Sequence, residues 1–287
     1  MKLISYRQQG TTRLGVVVAD GVIDLNQAQP QVPADLGAAL WQGIDVYAAA
    51  KAAAASMAPR ILLAGIEYAA PVPRPGKIIC LGLNYYDHAK EGGREKPDYP
   101  WFFLRGATSL MAHGEAGIRP RVSERFDFEA ELAVVIGKKA RHLSQANALD
   151  CVFGYSCFND MSVHDYQKKT PQWTIGKNFD GTGGFGPVLI TADELPPGAV
   201  GLKIQSRLNG QVMQSANTTD MIWGVAETIA LLTECMTLEP GDVIIMGTPA
   251  GVGQARTPPV WMKHGDTIEI DIERVGLLVN PIQDEAA

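Results

Sequence analysis

The sequence predicts an α+β protein, and three observations carry that reading. Segments of strand length recur along the whole chain, three pairs of them are joined by turn residues as hairpins are, and helical periodicity is confined to a few separate stretches. The first pair, residues 2–6 and 14–18, flanks Gln8-Gln9-Gly10. The second, residues 202–208 and 211–214, flanks Asn209-Gly210, a dipeptide suited to the positive φ angles of a type I′ turn. The third, residues 268–272 and 276–280, closes the chain. Helices are expected at residues 33–42, in the alanine-rich residues 46–57, and at 221–236, where Ile222, Val225, Ile229, Leu232 and Met236 form one apolar stripe.

With 287 residues, 46% of them hydrophobic and 20% charged, the chain is sized for one large or two modest domains of a soluble protein. A net charge of −6 without any run of Lys and Arg argues against nucleic acid as a partner. The N-terminal residues turn polar too soon for a signal-peptide core, and no apolar stretch reaches the roughly 18 residues of a membrane span. A cytoplasmic protein without membrane attachment is the expectation. Cys80, Cys151, Cys157 and Cys235 show no metal or redox spacing and read as small buried hydrophobes. Five scattered histidines form no helix-borne zinc pair, so any metal here prefers oxygen.

Taken in order, residues 1–70 form a small accessory domain: the first hairpin, a turn at Asp20-Gly21 into residues 22–25, and the two helical stretches. Pro71, Pro73 and Pro75 mark a linker, and residues 71–287 form the second domain. Residues 77–82 read as a buried strand leading into Tyr86-Asp87-His88-Ala89-Lys90-Glu91. On one helical turn His88 and Glu91 are i,i+3 neighbours, either an imidazole oriented as a general base or an ordinary surface pair. Gly92, Gly93, Pro97 and Pro100 make a loop that would suit a lid. Residues 101–105 resume a strand ending in Arg105, which binds an anionic substrate group or is a surface cation.

The densest chemistry lies in residues 126–160. Phe126-Asp127-Phe128-Glu129-Ala130-Glu131 alternates with period 2 and enters the apolar residues 132–136. On one strand Asp127, Glu129 and Glu131 would share a face, about 7 Å apart in successive pairs. Such a row is either a solvated face or a set of oxygen ligands for a divalent cation. Residues 152–158 read as another strand ending in Asn159-Asp160, which offers a further ligand oxygen, with a short helix within 161–167. Lys177, between apolar residues and a Gly-rich turn, is a buried ammonium that stabilises an enolate or a lysine reaching for solvent. Residues 181–187 are read as a turn, since they lack a phosphate-loop pattern. After a strand at 243–246, the loop 247–253 offers backbone amides and the Thr248 hydroxyl to a carboxylate, or is simply Gly-rich. Glu269, Asp271 and Glu273 alternate in the closing hairpin, where a solvent-facing strand is the simplest reading.

Five segments together resemble the fumarylacetoacetate hydrolase family, in the form with a short N-terminal domain found in bacteria. They are Gly82-Leu83-Asn84-Tyr85-Tyr86-Asp87-His88, Phe128-Glu129-Ala130-Glu131-Leu132, Asn159-Asp160-Met161, the run from Trp173 to Asp180, and the run from Gly247 to Gly253, within about residues 76–282. The resemblance implies a mixed β-sheet roll, a homodimer, and an octahedral Mg²⁺ or Mn²⁺ held by Glu129, Glu131 and Asp160, with Asp127 behind that ligand set. It further implies that His88 and Glu91 are the base pair, that Lys177 stabilises an oxyanion, and that Gln167 and Thr248 contact the substrate. Many acylpyruvate-cleaving members have Arg where this chain has Leu83, so recognition of the substrate carboxylate is expected to fall to Arg105.

On this basis the expected function is metal-dependent hydrolytic cleavage of a carbon–carbon bond in a 2,4-dioxo acid, an acylpyruvate-like molecule of aromatic catabolism, through an enolate. The alternative keeps the enolate but ends in decarboxylation or isomerisation of an unsaturated 2-oxo dicarboxylate. A noncatalytic binding protein for small dicarboxylates is the reading from another class.

Overall fold

In the computed structural model, which describes residues 1–19, 21–93 and 95–286, the strand Ala130–Ile136 is buried along its whole length. Its alternation divides the protein. Ala130, Leu132, Val134 and Ile136 enter one hydrophobic core and Ala133 and Val135 another, as a strand covered on both faces requires. Leu132, Val134, Val135 and Ile136 each contribute about 1.5–3 kcal/mol by leaving water.

This strand lies within a 12-stranded mixed sheet. From one edge ten strands run in the order Arg60–Leu62, Gly21–Asp24, Thr11–Val18, Lys2–Gln8, Gly183–Thr191, Val152–Asp160, Ala130–Ile136, Val243–Ile245, Ile78–Gly82 and Trp101–Arg105, while Glu67–Ala69 pairs with Lys2–Gln8 and Leu110–Ala112 with Gly183–Thr191. Most neighbours are antiparallel, but Val243–Ile245 runs parallel to Ile78–Gly82. A second sheet of five strands, Gln211–Asn217, Lys203–Leu208, Thr267–Ile272, Gly276–Asp284 and Gly117–Arg119, packs on one face through Ile204, Ile268, Ile270 and Leu278. The other face is covered by Leu36, Leu40, Val46 and Ala50 from the helices Leu36–Trp41 and Val46–Ala54. The N-terminal strands join the large sheet where Lys2 and Leu3 pair with Ile190 and Leu189.

The expected hairpins form. The first hairpin pairs Lys2–Gln8 with Thr11–Val18. At the second, Asn209 and Gly210 have φ angles of 52° and 79°, the pair of positive values that a type I′ turn demands. Glu269 and Asp271 lie half-buried in the closing hairpin, both held by Arg207. No helix among the described residues is long and apolar enough to cross a membrane.

Other details differ. Residues 126–131 are not one strand: Phe126–Asp127 pairs with Ser162–Val163, and the chain breaks before Ala130–Ile136. Asp127 is thereby separated from Glu129 and Glu131, and all three are buried rather than solvated. The expected turn at 181–187 is mostly the strand Gly183–Thr191, whose glycines suit close neighbours: a Cβ at Gly183 would lie 3.1 Å from Arg105 Nη2. The stripe predicted at 221–236 becomes a helix only from Val225 to Cys235, and Cys235 is exposed while the other three cysteines are buried. Asp20 of the predicted turn, and residue 94 of the predicted lid, lie outside the described residues.

Candidate active site

At one end of the large sheet, Glu131 lies on the face shared by Ala133 and Val135. The neighbouring strand ends in Asp160, on the same face as Phe158 of that core. Antiparallel register sets Glu131 against Phe158, and the Asp160 amide donates to the Glu129 carbonyl at 3.0 Å. Carboxylate oxygens of Glu129, Glu131 and Asp160 therefore lie within 4.8 Å of one another, all buried.

The compensating charge comes from two directions. Lys177, at the end of the Thr174–Lys177 helix, is 2% exposed and donates to Glu129 Oε2 at 2.8 Å and Asp160 Oδ2 at 2.6 Å. From behind, Arg105 binds Asp160 Oδ1, Thr182 Oγ1 at 2.8 Å and Ser109 Oγ at 3.2 Å. Burial alone would lower the Lys177 ammonium pKa, but Asp160, Glu129 and Glu131 outweigh it and hold the group charged. Burial would likewise raise Glu129, yet Lys177, His164 and His88 keep its carboxyl below the usual range. Glu131 goes the other way. Burial, then Asp160 and Glu129, push its carboxyl well above that range, against one donated bond from the Gly247 amide at 2.5 Å. Three crowded oxygen donors short of positive charge fit a hard divalent cation such as Mg²⁺ or Mn²⁺.

A cavity of about 310 Å³ opens onto Glu129, Glu131 and Lys177. His88, Gln167 and Thr248 also line it, between apolar walls from Leu81, Phe103, Trp173 and Val252. His88 and Glu91 do lie on one helical turn, Tyr86–Glu91, with Nδ1 and Oε1 2.8 Å apart. Thr248 Oγ1 accepts from Gln214 Nε2 at 2.7 Å, which leaves its hydroxyl hydrogen for another acceptor. Leu83 contributes an apolar wall from a left-handed backbone, φ 56°.

Two expectations are corrected here. Arg105 is neither a surface cation nor a cavity residue; its side chain is fully buried and its guanidinium committed to Asp160, Thr182 and Ser109, so it is not available to a substrate carboxylate. Amides of the 247–253 loop serve the protein's own carboxylates: Gly247 that of Glu131, Gly251 that of Glu91 at 2.9 Å, and Gly253 that of Asp127 at 2.8 Å.

Asp127 closes a chain of contacts that ends in the cavity. Its oxygens accept from the Phe128, Gly253 and Gln254 amides, each at 2.8 Å, and Oδ2 lies 2.9 Å from His164 Nε2. His164 Nδ1 in turn lies 2.7 Å from Gln167 Oε1. Sequence reasoning passed over His164. The signal was present, because His164 and Gln167 repeat the i,i+3 spacing of His88 and Glu91. Gln214, whose amide joins Thr248 to the Ala130 amide, carried no signal, since its register is set by a distant hairpin.

A sequence profile described as the fumarylacetoacetate (FAA) hydrolase C-terminal domain matches residues 77–283. Human mitochondrial oxaloacetate tautomerase is 37% identical over 288 residues, covering 98% of this chain and 91% of that protein. The structure of a fumarylacetoacetate hydrolase from psychrophilic Exiguobacterium antarcticum superposes with a TM-score of 0.86 at 34% identity, over 99% of this chain and 100% of that one. That of maleylpyruvate hydrolase from Sphingobium sp. SYK-6, in complex with manganese(II) ion and pyruvate, superposes with a TM-score of 0.83 at 30% identity over 100% of both chains.

Proposed function

We infer the reaction from the premise that this chain belongs to the fumarylacetoacetate hydrolase family, and propose that it is an enzyme interconverting the keto and enol forms of an oxaloacetate-like 2-oxo acid. The observation that carries this reading is the convergence of the carboxylate triad, Lys177 and the His88–Glu91 pair on one cavity. Glu129, Glu131 and Asp160 would hold Mg²⁺ or Mn²⁺, which when bound supplies Lewis-acid polarisation of the 2-oxo carbonyl.

The chain's own residues do the rest. With Nδ1–H donated to Glu91, His88 presents the Nε2 lone pair to the cavity. Nε2 takes a proton from C3, and the released pair forms the C2–C3 double bond while charge moves to the C2 oxygen. Lys177 stabilises that oxygen; its third contact, to the Asp160 carbonyl at 3.4 Å, is the long one and the one to give way. The His88 imidazolium then returns the proton to oxygen, and mass is conserved. Gln167 and the Thr248 hydroxyl fix the substrate carboxylate, and Leu81, Phe103 and Trp173 exclude water from the enolate.

Hydrolytic cleavage of an acylpyruvate is the second reading, favoured by the full-length superposition on maleylpyruvate hydrolase. There His88 would deprotonate a water that attacks the distal carbonyl, with pyruvate enolate as leaving group. One experiment separates the two. Oxaloacetate, acetylpyruvate and fumarylpyruvate are incubated with Mg²⁺ or Mn²⁺, with and without chelator, and followed by enol absorbance, C3 deuterium exchange and product mass. Chelator-sensitive enolisation and exchange without fragments supports tautomerisation; pyruvate plus a second acid would replace it with hydrolysis, and turnover untouched by chelator would sink both.

A further inference from the structure

We propose that Lys168 reads a distal carboxylate on the substrate and so restricts the cavity to 2-oxo acids bearing a second anionic group. This rests on the 2-oxo acid reading above and adds a residue for the substrate's far end. Charge in the cavity leads to it. Among the described residues, four that line the cavity can carry positive charge: His88, His164, Lys168 and Lys177. Lys177 is held by Glu129 and Asp160, His164 lies between Asp127 and Gln167, and His88 pairs with Glu91. Lys168 is exposed, and its ammonium has no ion pair or hydrogen bond among the described residues. It is the lining cation free to meet a ligand.

Its place is also built. Lys168 caps the His164–Gln167 helix, its amide donating to the His164 carbonyl at 3.2 Å. That helix lies backbone to backbone against the one carrying Lys177: a Cβ on Gly176 would fall 2.4 Å from the Gln167 amide nitrogen. The two short helices thus form one unit with a buried cation at the triad and an exposed cation at the opening. A substrate whose oxo-acid end engages the triad and Lys177 would extend toward Lys168, where a second carboxylate completes an ion pair and a methyl group does not.

Two unreactive probes test this on the Mn²⁺-loaded protein by calorimetric titration. Oxalate presents the oxo-acid end alone, and N-oxalylglycine adds a distal carboxylate. Lys168→Gln is expected to weaken N-oxalylglycine about fivefold while leaving oxalate unchanged, the effect of one partly solvated ion pair. Lys168→Glu should weaken it further, and Lys168→Arg should restore it. An unchanged affinity ratio in Lys168→Gln, with oxalate still bound, overturns the role of Lys168 alone. Failure of oxalate to bind the wild type overturns the 2-oxo acid reading and this assignment with it.

Discussion

Glu91 accepts a hydrogen bond from the Gly251 amide at 2.9 Å, across 160 positions of sequence, while its other oxygen meets His88 Nδ1 at 2.8 Å. The carboxylate is therefore fixed by the Gly-rich loop before it orients the imidazole. Glu91→Gln keeps an oxygen for Gly251 but removes the charge that stabilises a protonated His88. We expect kcat to fall by about 10- to 100-fold, below what loss of the base itself would cost, with KM and melting temperature little changed. Steady-state kinetics at saturating metal decide it; a wild-type kcat would remove Glu91 from the reaction.

Asp160 joins the two buried cations, Arg105 on one oxygen and Lys177 on the other. Asp160→Asn leaves Arg105 with neutral partners and Lys177 with Glu129 as its carboxylate partner, and breaking such a buried arrangement costs about 3–5 kcal/mol. The same change replaces one of the three carboxylate donors of the triad with a neutral amide oxygen. Denaturant unfolding and Mn²⁺ titration should both show the loss. Unaltered Mn²⁺ affinity in a folded variant would exclude Asp160 from the ligand set.

Much of this site was legible in the sequence because its parts are local. His88 and Glu91 share one helical turn, and Asp160 ends a strand whose apolar run is plain to read. What escaped was long-range. Arg105 ends its strand as expected, but that it faces Asp160 rather than the cavity follows from the register of strands remote in sequence. Asp127 looked equivalent to Glu129 and Glu131 because period-2 alternation cannot show a break at Phe128-Glu129. The glycines at 181–187 suggested a turn because a residue without a side chain suits tight turns and tight packing alike, and only the neighbouring strands distinguish the two.

Asp24 provides a pH test away from the active site. Its buried carboxylate accepts from Tyr6 Oη at 2.6 Å, Arg13 Nε at 2.7 Å and Nη2 at 2.8 Å, and the Gln27 amide at 2.8 Å. Burial alone would raise its pKa, but the Arg13 and Tyr6 hydrogen bonds prevail and hold it below the ordinary value. A depressed folded-state pKa means stability that is present above the unfolded value, about 3.9, and lost as pH falls through the folded one. Asp24→Asn should cost about 1.5–3 kcal/mol at neutral pH and flatten the acid limb below about pH 4. Denaturant unfolding across that range checks both; a limb as steep as in the wild type would show that other carboxylates dominate it.

His164 separates positioning from proton transfer. It hydrogen-bonds Asp127 and Gln167 but none of the three metal-site carboxylates, so beyond its electrostatic effect on Glu129 it acts on the reaction through the orientation of Gln167. In His164→Leu, Asp127 keeps the Phe128, Gly253 and Gln254 amides, and the loss of one charge-assisted contact should cost about 1.5–3 kcal/mol without unfolding the chain. Gln167, released from Nδ1, would sample other rotamers, and substrate binding would bear the entropy of fixing it again. KM should therefore rise about tenfold while kcat stays within about threefold of wild type, because His88, Lys177 and the triad are untouched. His164→Gln, which can still reach both neighbours with an amide, should recover part of the KM. A collapse of kcat with KM preserved would instead make His164 a participant in the proton transfer and move the base away from His88.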